Sequence, residues 1–368
     1  MSDWVKNSTI LLVKAGSQAY GTANEMSDLD IRGVCVPPVE IRDDIFQNFT
    51  QISSPSFIEK DFSHLINPKN PKLDSTIFDI RKFCKLAAEC NPNILEILFT
   101  PYEDHLIKTE KGKLLFDNRK LFLSTRCAYT FTGFAVAQLK KIERHQKWIK
   151  NPPKEPPSRE SFGLPPRTNL NERIESDLKN RVEKWNFSQF NLDDQQRKEL
   201  KEEIFIIVRE LTGQVIDWDN WPAVFKLAAI KETAEQLSLS EELLTILIKE
   251  SQWRELNDKW ANFLHWQKNR NQDRKVLENK YLYDTKNGLH LVRLCRSGLE
   301  VLLNGDLAVK RHDAAELLEI KNGKWSYEQI KEYADSMQKE INEAKLRSSL
   351  PRETDKKAIN ELLRQMLK

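Results

Sequence analysis

Short apolar runs separated by glycine and proline recur over the first 150 residues, a pattern typical of buried strands interrupted by turns. Strands are predicted over residues 10–13, 29–36 and 73–78. Apolar residues at helical spacing then predict helices over 79–89, 94–99 and 124–148. The N-terminal region is therefore predicted to be α/β (α+β): a small mixed sheet with helices.

A proline-rich stretch divides the chain. Residues 151–170 hold six of the fifteen prolines and are predicted to be a linker. Residues 171–275 are predicted to form a charged, tryptophan-rich helical insert, and residues 276–368 a helical C-terminal domain. In that last domain, helices are predicted over 288–303, from a Ser326 N-cap onward, and over 355–366.

Composition narrows the class of protein. Apolar residues make up 39% of the chain and charged residues 31%, which indicates a folded chain with many solvated helix faces. The net charge of +3 argues neither for nor against a nucleic-acid partner. The five cysteines include no C-x-x-C pair, so a reduced, cytoplasmic setting is expected. We expect no membrane span and no signal peptide, since no apolar run is long enough and no basic N-terminal segment precedes one.

The chemistry is concentrated in a glycine turn and two aspartates. The first predicted strand enters Gly16-Ser17, where free backbone N–H groups can face an anion. Asp28 and Asp30 stand at i and i+2, so a strand would place both carboxylates on one face. Two such carboxylates repel each other unless a cation lies between them, and hard oxygen ligands suit Mg²⁺. The alternative interpretation is a β-turn followed by a solvated Asp30.

This stretch resembles the signature of the polymerase β-like nucleotidyltransferase superfamily, in which Gly-Ser is followed by D-x-D. It is more similar still to a bacterial and phage branch of stand-alone nucleotidyltransferases with the pattern G-S-x-A-Y-G-T…S-D-x-D-x-x-G-V, which residues 16–22 and 27–34 match. Segments similar to this branch also occur at 83–96 and 290–305. The resemblance touches residues 10–140 and 280–365 and leaves the insert uncovered.

The resemblance implies a metal-binding triad and a nucleotide site. Asp28 and Asp30 would be joined by a third carboxylate on a neighbouring strand, with Asp74 favoured and Asp79 the second candidate. Asp79 also suits a helix N-cap. The triad would hold two Mg²⁺ ions, for which Mn²⁺ can substitute, and the same motif supplies the nucleotide-binding candidates Gly16, Ser17, Tyr20 and Ser27.

His290 and Arg293 form a basic stripe on the predicted helix 288–303, because residues at i and i+3 share a helix face. Two interpretations stay open for the stripe. A basic stripe beside a magnesium site would suit a triphosphate tail or a nucleic-acid backbone, and the resemblance supports such a role, so that the C-terminal domain completes the nucleotide site. A buried structural pair is the alternative.

The implied activity is transfer of NMP or dNMP from a nucleoside triphosphate, such as ATP, with release of pyrophosphate. The expected acceptor is a nucleic-acid 3′ end, extended without a template, or a growing short oligonucleotide, with antiviral defence as one setting. The alternative is a single nucleotidylation (AMPylation) of a protein or tRNA by a toxin- or antitoxin-type enzyme. A protein partner or a homo-oligomer is left open.

Overall fold

The computed structural model divides the chain into two units, one formed by residues 1–150 with 271–368 and the other by 151–270. The first unit combines two segments that sequence analysis treated as separate domains. Most of the predicted insert, including Trp185, Trp218 and Trp221, lies outside the described part of the chain. The residues described are 3–25, 27–44, 46, 49–164, 176, 180, 241–270 and 272–368.

Five strands of the first unit form one mixed sheet. The strands are β1 (Thr9–Ala15), β2 (Leu29–Cys35), β3 (Gln51–Ser53), β4 (Leu73–Asp79) and β5 (His105–Lys108). Their order is β3–β4–β2–β1–β5, and β2 and β4 are parallel while the other neighbours are antiparallel. The mixed sheet confirms the predicted fold class.

The two faces of the sheet are covered by different helices. Leu12, Ile31 and Ile77 lie in a small core on one face, with Phe57 and Ile58 of α4 (Ser56–Asp61). The opposite face belongs to the main core, which takes in alternate strand residues such as Val13 and Val34. The helices that precede β3 along the chain are α1 (Asp3–Ser8), α2 (Gly16–Tyr20) and α3 (Val39–Arg42).

Helices on the main-core side begin at well-defined caps. Asp79 caps α5 (Ile80–Ala88), and Asn91 caps α6 (Pro92–Phe99). Helix α6 begins two residues before the predicted start, because a proline fits the first turn of a helix, where no N–H donor is needed. Helices α7 (Glu110–Asp117) and α8 (Cys127–Lys150) follow.

The C-terminal segment of this unit is all helical, as predicted. Ser326 and Gln329 form a capping box at the predicted N-cap. Gly305 directly follows the helix Thr285–Asn304 and ends it by adopting a left-handed backbone conformation, with φ 61°. The five helices are α10 (Gln272–Tyr281), α11 (Thr285–Asn304), α12 (Ala314–Lys321), α13 (Tyr327–Arg347) and α14 (Lys356–Leu367).

Helices α8 and α11 pack closely where Gly298 meets Phe131. A β-carbon at Gly298 would lie 2.8 Å from Phe131 Cβ, so glycine permits the close approach of the two helices. The main core draws buried residues from both chain segments, among them Phe83, Leu95, Phe131, Leu291 and Ile341. The N-terminal sheet and the C-terminal helices therefore share one hydrophobic core.

In the second unit, the proline-rich stretch packs on helix α9 (Glu241–Asn269). The Trp253 indole N–H donates to the carbonyl of Pro157 at 3.0 Å. The Arg159 guanidinium lies 4.7 Å from the centre of the Trp253 ring. None of the described helices of either unit combines the length and apolar composition needed to span a bilayer.

Candidate active site

Strand β1 ends in a turn at Gly16, and the Asp30 side chain lies directly against this turn. Gly16 directly follows the strand and has φ +59°, in the left-handed region that favours glycine. Ala15 pairs with Asp30 across β1 and β2. A β-carbon at Gly16 would lie 2.1 Å from Oδ2 of Asp30. The glycine therefore gives the Asp30 carboxylate its place directly against the turn.

Hydrogen bonds of Ser17 and Ser27 stabilise the loop that links this turn to β2. The Ser17 carbonyl accepts the N–H of Thr22 at 3.0 Å. The Ser27 hydroxyl accepts the N–H of Asn24 at 2.9 Å and donates to the Asn24 side-chain oxygen at 3.1 Å. Ser27 therefore closes the loop immediately before Asp28.

The parallel register of β2 and β4 brings three carboxylates together. Asp30 is paired with Asp74, and side chains at paired positions share a face of the sheet. Asp28 lies two residues before Asp30, and both it and Asp74 raise the pKa of Asp30 by charge repulsion. The three side chains are 32%, 25% and 52% exposed for Asp28, Asp30 and Asp74, so all can be reached from solvent.

Asp79, the second candidate for the third carboxylate, lies at the other end of β4. Five residues along a strand span roughly 17 Å, and Asp79 is paired with Cys35 rather than with Asp30. Its buried carboxylate accepts the N–H groups of Arg81 and Lys82 at 2.7 and 3.2 Å and pairs with the Arg81 side chain. The structure places Asp79 as the N-cap of α5, away from Asp28 and Asp30.

The aspartates differ in their electrostatic surroundings. Burial raises the pKa of Asp30, and repulsion by Asp28 and Asp74 adds to that effect against the attraction of Arg32 and Lys286. Burial also acts to raise the pKa of Asp28, but a backbone hydrogen bond and the charges of Lys286 and Lys72 lower it on balance. Of these two aspartates, Asp30 is therefore the one whose negative charge is less well compensated.

Cations surround the carboxylates from several parts of the chain. Arg32 Nη2 lies 2.7 Å from Asp74 Oδ2 and 3.9 Å from Asp30 Oδ1. Lys72 Nζ lies 3.3 Å from Asp28 Oδ2.

Two further lysines of the C-terminal segment interact electrostatically with the aspartates. They are Lys286 at the start of α11 and Lys321 at the end of α12. Burial and the charges of Lys286 and Arg274 lower the pKa of Lys321, although the Asp28 charge opposes them. Lys72 and Lys321 carry no sequence signal, because about 250 residues separate them and only the fold brings them to Asp28.

The donor set fits a divalent cation. Asp28, Asp30 and Asp74 offer carboxylate oxygens on one face of the sheet, and Asp30 is under repulsion from both neighbours. Hard oxygen ligands that repel one another are the surroundings in which Mg²⁺ or Mn²⁺ binds. These three aspartates are therefore candidate ligands for a metal ion.

A second group of metal-ligand side chains, His145, Glu278 and Asp284, has ligand atoms within 4.8 Å of one another. Asp284 caps α11 through the backbone N–H of Asn287 at 3.1 Å. Its other contacts include the Asn287 amide at 2.9 Å and Arg274 at 3.2 Å. Asp284 therefore serves as the N-cap of α11, and His145 lies 3.4 Å from its carboxylate.

Two predicted nucleotide-binding residues, Tyr20 and Arg293, meet in the protein interior. The Tyr20 hydroxyl donates to Glu96 at 2.5 Å, and Arg293 donates to the other Glu96 oxygen. The Arg293 guanidinium carbon lies 3.9 Å from the centre of the Tyr20 ring. Arg293 is only 4% exposed and Tyr20 7%. The structure therefore joins both to Glu96, which sequence analysis did not single out.

His290 is half-buried beside this group. Burial and the nearby charges of Arg293, Lys286 and Arg274 lower its pKa to about 3. The imidazole is therefore neutral at pH 7, so it can take part in hydrogen bonds but contributes no charge to a triphosphate site.

Comparison with known proteins finds a family model similar to the N-terminal segment. Residues 4–154 match the RlaP family model, described as the RNA repair pathway DNA polymerase beta family. This is a polymerase β-like nucleotidyltransferase family, which confirms the resemblance drawn from the glycine turn and the aspartates.

A region of 138 residues is 30% identical to an uncharacterized 38.9 kDa protein of the nrdC–mobD intergenic region of Enterobacteria phage T4. The match covers 36% of this chain and 38% of the phage protein. No solved structure matches the chain.

Proposed function

We propose that the protein is a Mg²⁺-dependent nucleotidyltransferase that transfers NMP or dNMP from a nucleoside triphosphate to an acceptor hydroxyl. The observation that carries this proposal is the register that sets Asp74 beside Asp30, with Asp28 adjacent and Gly16 beneath. It lies within the segment that matches a polymerase β-like nucleotidyltransferase family.

In this proposal Asp28, Asp30 and Asp74 hold two Mg²⁺ ions, or Mn²⁺ in their place. The chemistry that such ions supply when bound is neutralisation of charge at both ends of an in-line displacement. Asp74, the most exposed of the three, takes the proton of the acceptor hydroxyl. The acceptor oxygen forms a bond to the α-phosphorus, the bond from the α-phosphorus to the β-bridging oxygen breaks, and pyrophosphate leaves.

Lysines next to Asp28 support a place for the triphosphate. Lys72 lies beside Asp28, and the charges of Lys286 and Lys321 act on the same region. Ammonium groups form strong charge-assisted hydrogen bonds with phosphate oxygens. We assign the β- and γ-phosphates to these three lysines.

A nucleic-acid end is the proposed acceptor, extended without a template. The description of the matching family, an RNA repair pathway polymerase, supports a polynucleotide over a protein. A single AMPylation of a protein or tRNA is the competing acceptor assignment. The two differ in product, since repeated addition yields a ladder and a single modification yields one species.

Asp30→Ala tests the reaction. We expect transfer to fall by at least about 100-fold, since a preorganised group at the reaction centre is lost. The measurement is incorporation from an α-labelled nucleoside triphosphate with Mg²⁺, analysed on a denaturing gel.

Asp335→Ala, at an exposed position of α13, is the matched control and should keep the wild-type rate. Circular dichroism checks that both variants are folded. Wild-type incorporation by a folded Asp30→Ala variant would rule the proposal out.

A further inference from the structure

A cavity of about 290 Å³ opens on the sheet face next to Asp30. Its volume is close to the lower end of the roughly 300–1,000 Å³ typical of small-molecule sites. The sheet, the Gly16 turn with α2, and α6 all contribute to its lining, which includes Asp30, Arg32, Phe78, Asn93, Ile94 and Ile97. Its position next to the proposed reaction centre makes it a binding site for one of the two reactants.

The distribution of charged side chains along β2 indicates which of the two reactants the cavity binds. Lys72 lies 3.3 Å from Asp28, which directly precedes β2, and the charges of Lys286 and Lys321 also interact with Asp28. The cavity extends from Asp30 in the other direction, past Arg32 to Phe78. An in-line displacement needs the attacking and leaving oxygens on opposite sides of the phosphorus. With pyrophosphate leaving toward the lysines, the acceptor approaches from the cavity.

The length of the cavity suits an acceptor larger than a hydroxyl alone. Asp30 and Phe78 both line the cavity, and Phe78 is paired with Val34, four residues after Asp30 on β2, which corresponds to roughly 13 Å along the strand. Asp74 lies outside the lining and is paired with Asp30 at its edge. A group that reaches Asp74 with its hydroxyl can therefore rest its far end on Phe78.

The lining is that of a site for a flat group with a polar edge. Phe78 is half-buried, with its ring centre 6.5 Å from that of Phe83 in the core, and it also lines the cavity. Ile94 and Ile97 supply apolar surface from α6. Asn93 is exposed and carries both a hydrogen-bond donor and an acceptor. A nucleobase has an apolar face and such a polar edge, and aromatic side chains stack on it.

Asn93 and Arg32 supply polar groups to the lining of the cavity. The Asn91 side chain accepts the N–H of Asn93 at 3.1 Å, which caps α6 at the point where Asn93 meets the cavity. The Arg32 guanidinium lies between Asp30 and Asp74 and lines the cavity, so it offers a positive charge to a phosphate there.

We propose that this cavity binds the terminal nucleoside of a polynucleotide or oligonucleotide acceptor, with the base against Phe78 and the hydroxyl toward Asp74. The inference rests on the proposed function and assigns a binding site to its acceptor. It also assigns a role to the segment around Asn93, which sequence analysis noted only for its resemblance.

The test is binding of fluorescein-labelled single-stranded RNA and DNA to the full-length protein with Mg²⁺ and no triphosphate, followed by fluorescence anisotropy. Each oligonucleotide is used with an intact and with an abasic 3′-terminal nucleotide. We expect the abasic end to weaken binding of at least one of the two nucleic acids by about 5- to 100-fold, the range for loss of one stacked base.

Asn93→Trp puts an indole at the cavity rim from an exposed position and should remove the difference between intact and abasic ends. Gln338→Trp, at an exposed position of α13, is the matched control and should preserve that difference. A second pair acts on the stacking surface: Phe78→Tyr should keep the preference for an intact end, and Phe78→Leu should reduce it.

Equal binding of intact and abasic ends by the wild-type protein, for both RNA and DNA, overturns the cavity assignment. A preference that survives Asn93→Trp overturns it too. Nucleotide transfer to a protein without any dependence on a terminal base leaves the proposed reaction standing and refutes the polynucleotide acceptor. Base-dependent binding without nucleotide transfer supports the cavity and refutes the proposed reaction.

Discussion

At the scale of single residues, the site depends on two side chains that need particular neighbours. Asp30 can lie against the turn because Gly16 has no side chain. Asp74 enters the group because the register pairs it with Asp30, whereas Asp79 has its carboxylate engaged as a cap. The choice between those two aspartates was open from sequence, and the geometry supports Asp74.

Gly16→Ala tests the first of these contacts. The added methyl group would lie 2.1 Å from the Asp30 carboxylate, and the left-handed backbone costs a non-glycine residue roughly 1–2 kcal/mol. We expect the nucleotide transfer rate to fall at least about tenfold because Asp30 must move. The same labelled-nucleotide assay measures it.

The control for this substitution is Gly133→Ala in α8, where a β-carbon meets no atom within 4 Å. That variant should transfer at the wild-type rate and gain about 0.5–1 kcal/mol in the free energy of unfolding. If Gly16→Ala transferred as fast as Gly133→Ala, the contact with Asp30 would have no part in the reaction.

At the scale of elements, helix α11 is tied to α2 and α6 through one buried carboxylate. Glu96 accepts hydrogen bonds from Tyr20 of α2 and Arg293 of α11. Burial acts to lower the pKa of Arg293, but Glu96 and Tyr20 raise it overall, so the guanidinium stays charged. Of the two interpretations left open for Arg293, the geometry supports the structural one, with Glu96 in place of His290 as the partner.

Arg293→Met therefore should act on stability. Removing one member of a buried ion pair leaves an uncompensated charge, and the expected loss is about 3–5 kcal/mol in the free energy of unfolding. Urea denaturation measures that loss. The double variant Glu96→Gln/Arg293→Met should recover part of it, because no unpaired charge is left.

The opposite result has a clear signature. An unchanged free energy of unfolding together with a raised KM for the triphosphate would assign Arg293 to the nucleotide instead.

At the scale of the whole molecule, the first unit is assembled from the two ends of the described chain. The segment that matches the nucleotidyltransferase family ends near residue 154, yet its core includes residues of α11, α13 and α14. Lys286 and Lys321, proposed to bind the triphosphate, also come from the C-terminal segment. The family segment alone therefore lacks part of its core and part of the proposed site.

A fragment of residues 1–150 should accordingly fail to fold alone. The apolar face that α11 covers would be exposed to water, and burial of that area contributes about 25 cal/mol per Å² to folding. We expect no cooperative thermal unfolding of this fragment by circular dichroism, in contrast to the full chain.

Co-expression with residues 271–368 is the complementary experiment, and the two fragments should purify together. A monomeric, cooperatively unfolding 1–150 fragment would show that the shared core is dispensable.

Local patterns in the sequence were sufficient to predict most of the strands and helices of the first unit. Strands β1, β2 and β4 were predicted from short apolar runs, and the major helices on either side of the insert from apolar spacing and caps such as Ser326. Strands β3 and β5 were missed because three and four residues are too few for a period to show. The pairing of Gly16-Ser17 with Asp28 and Asp30 was visible because a turn and a strand are local structures.

Only the tertiary structure decided what depends on distant positions. Strand register set Asp74 rather than Asp79 beside Asp30, and helix packing brought Lys321 to Asp28 and Arg293 to Glu96. Such contacts join residues that are 44 to 293 positions apart in the chain, and no local pattern of hydrophobic and polar residues encodes them. The sequence alone determined the glycine turn and the paired aspartates, since both follow from neighbouring residues. The arrangement of cations and the cavity around them follows from how the chain packs.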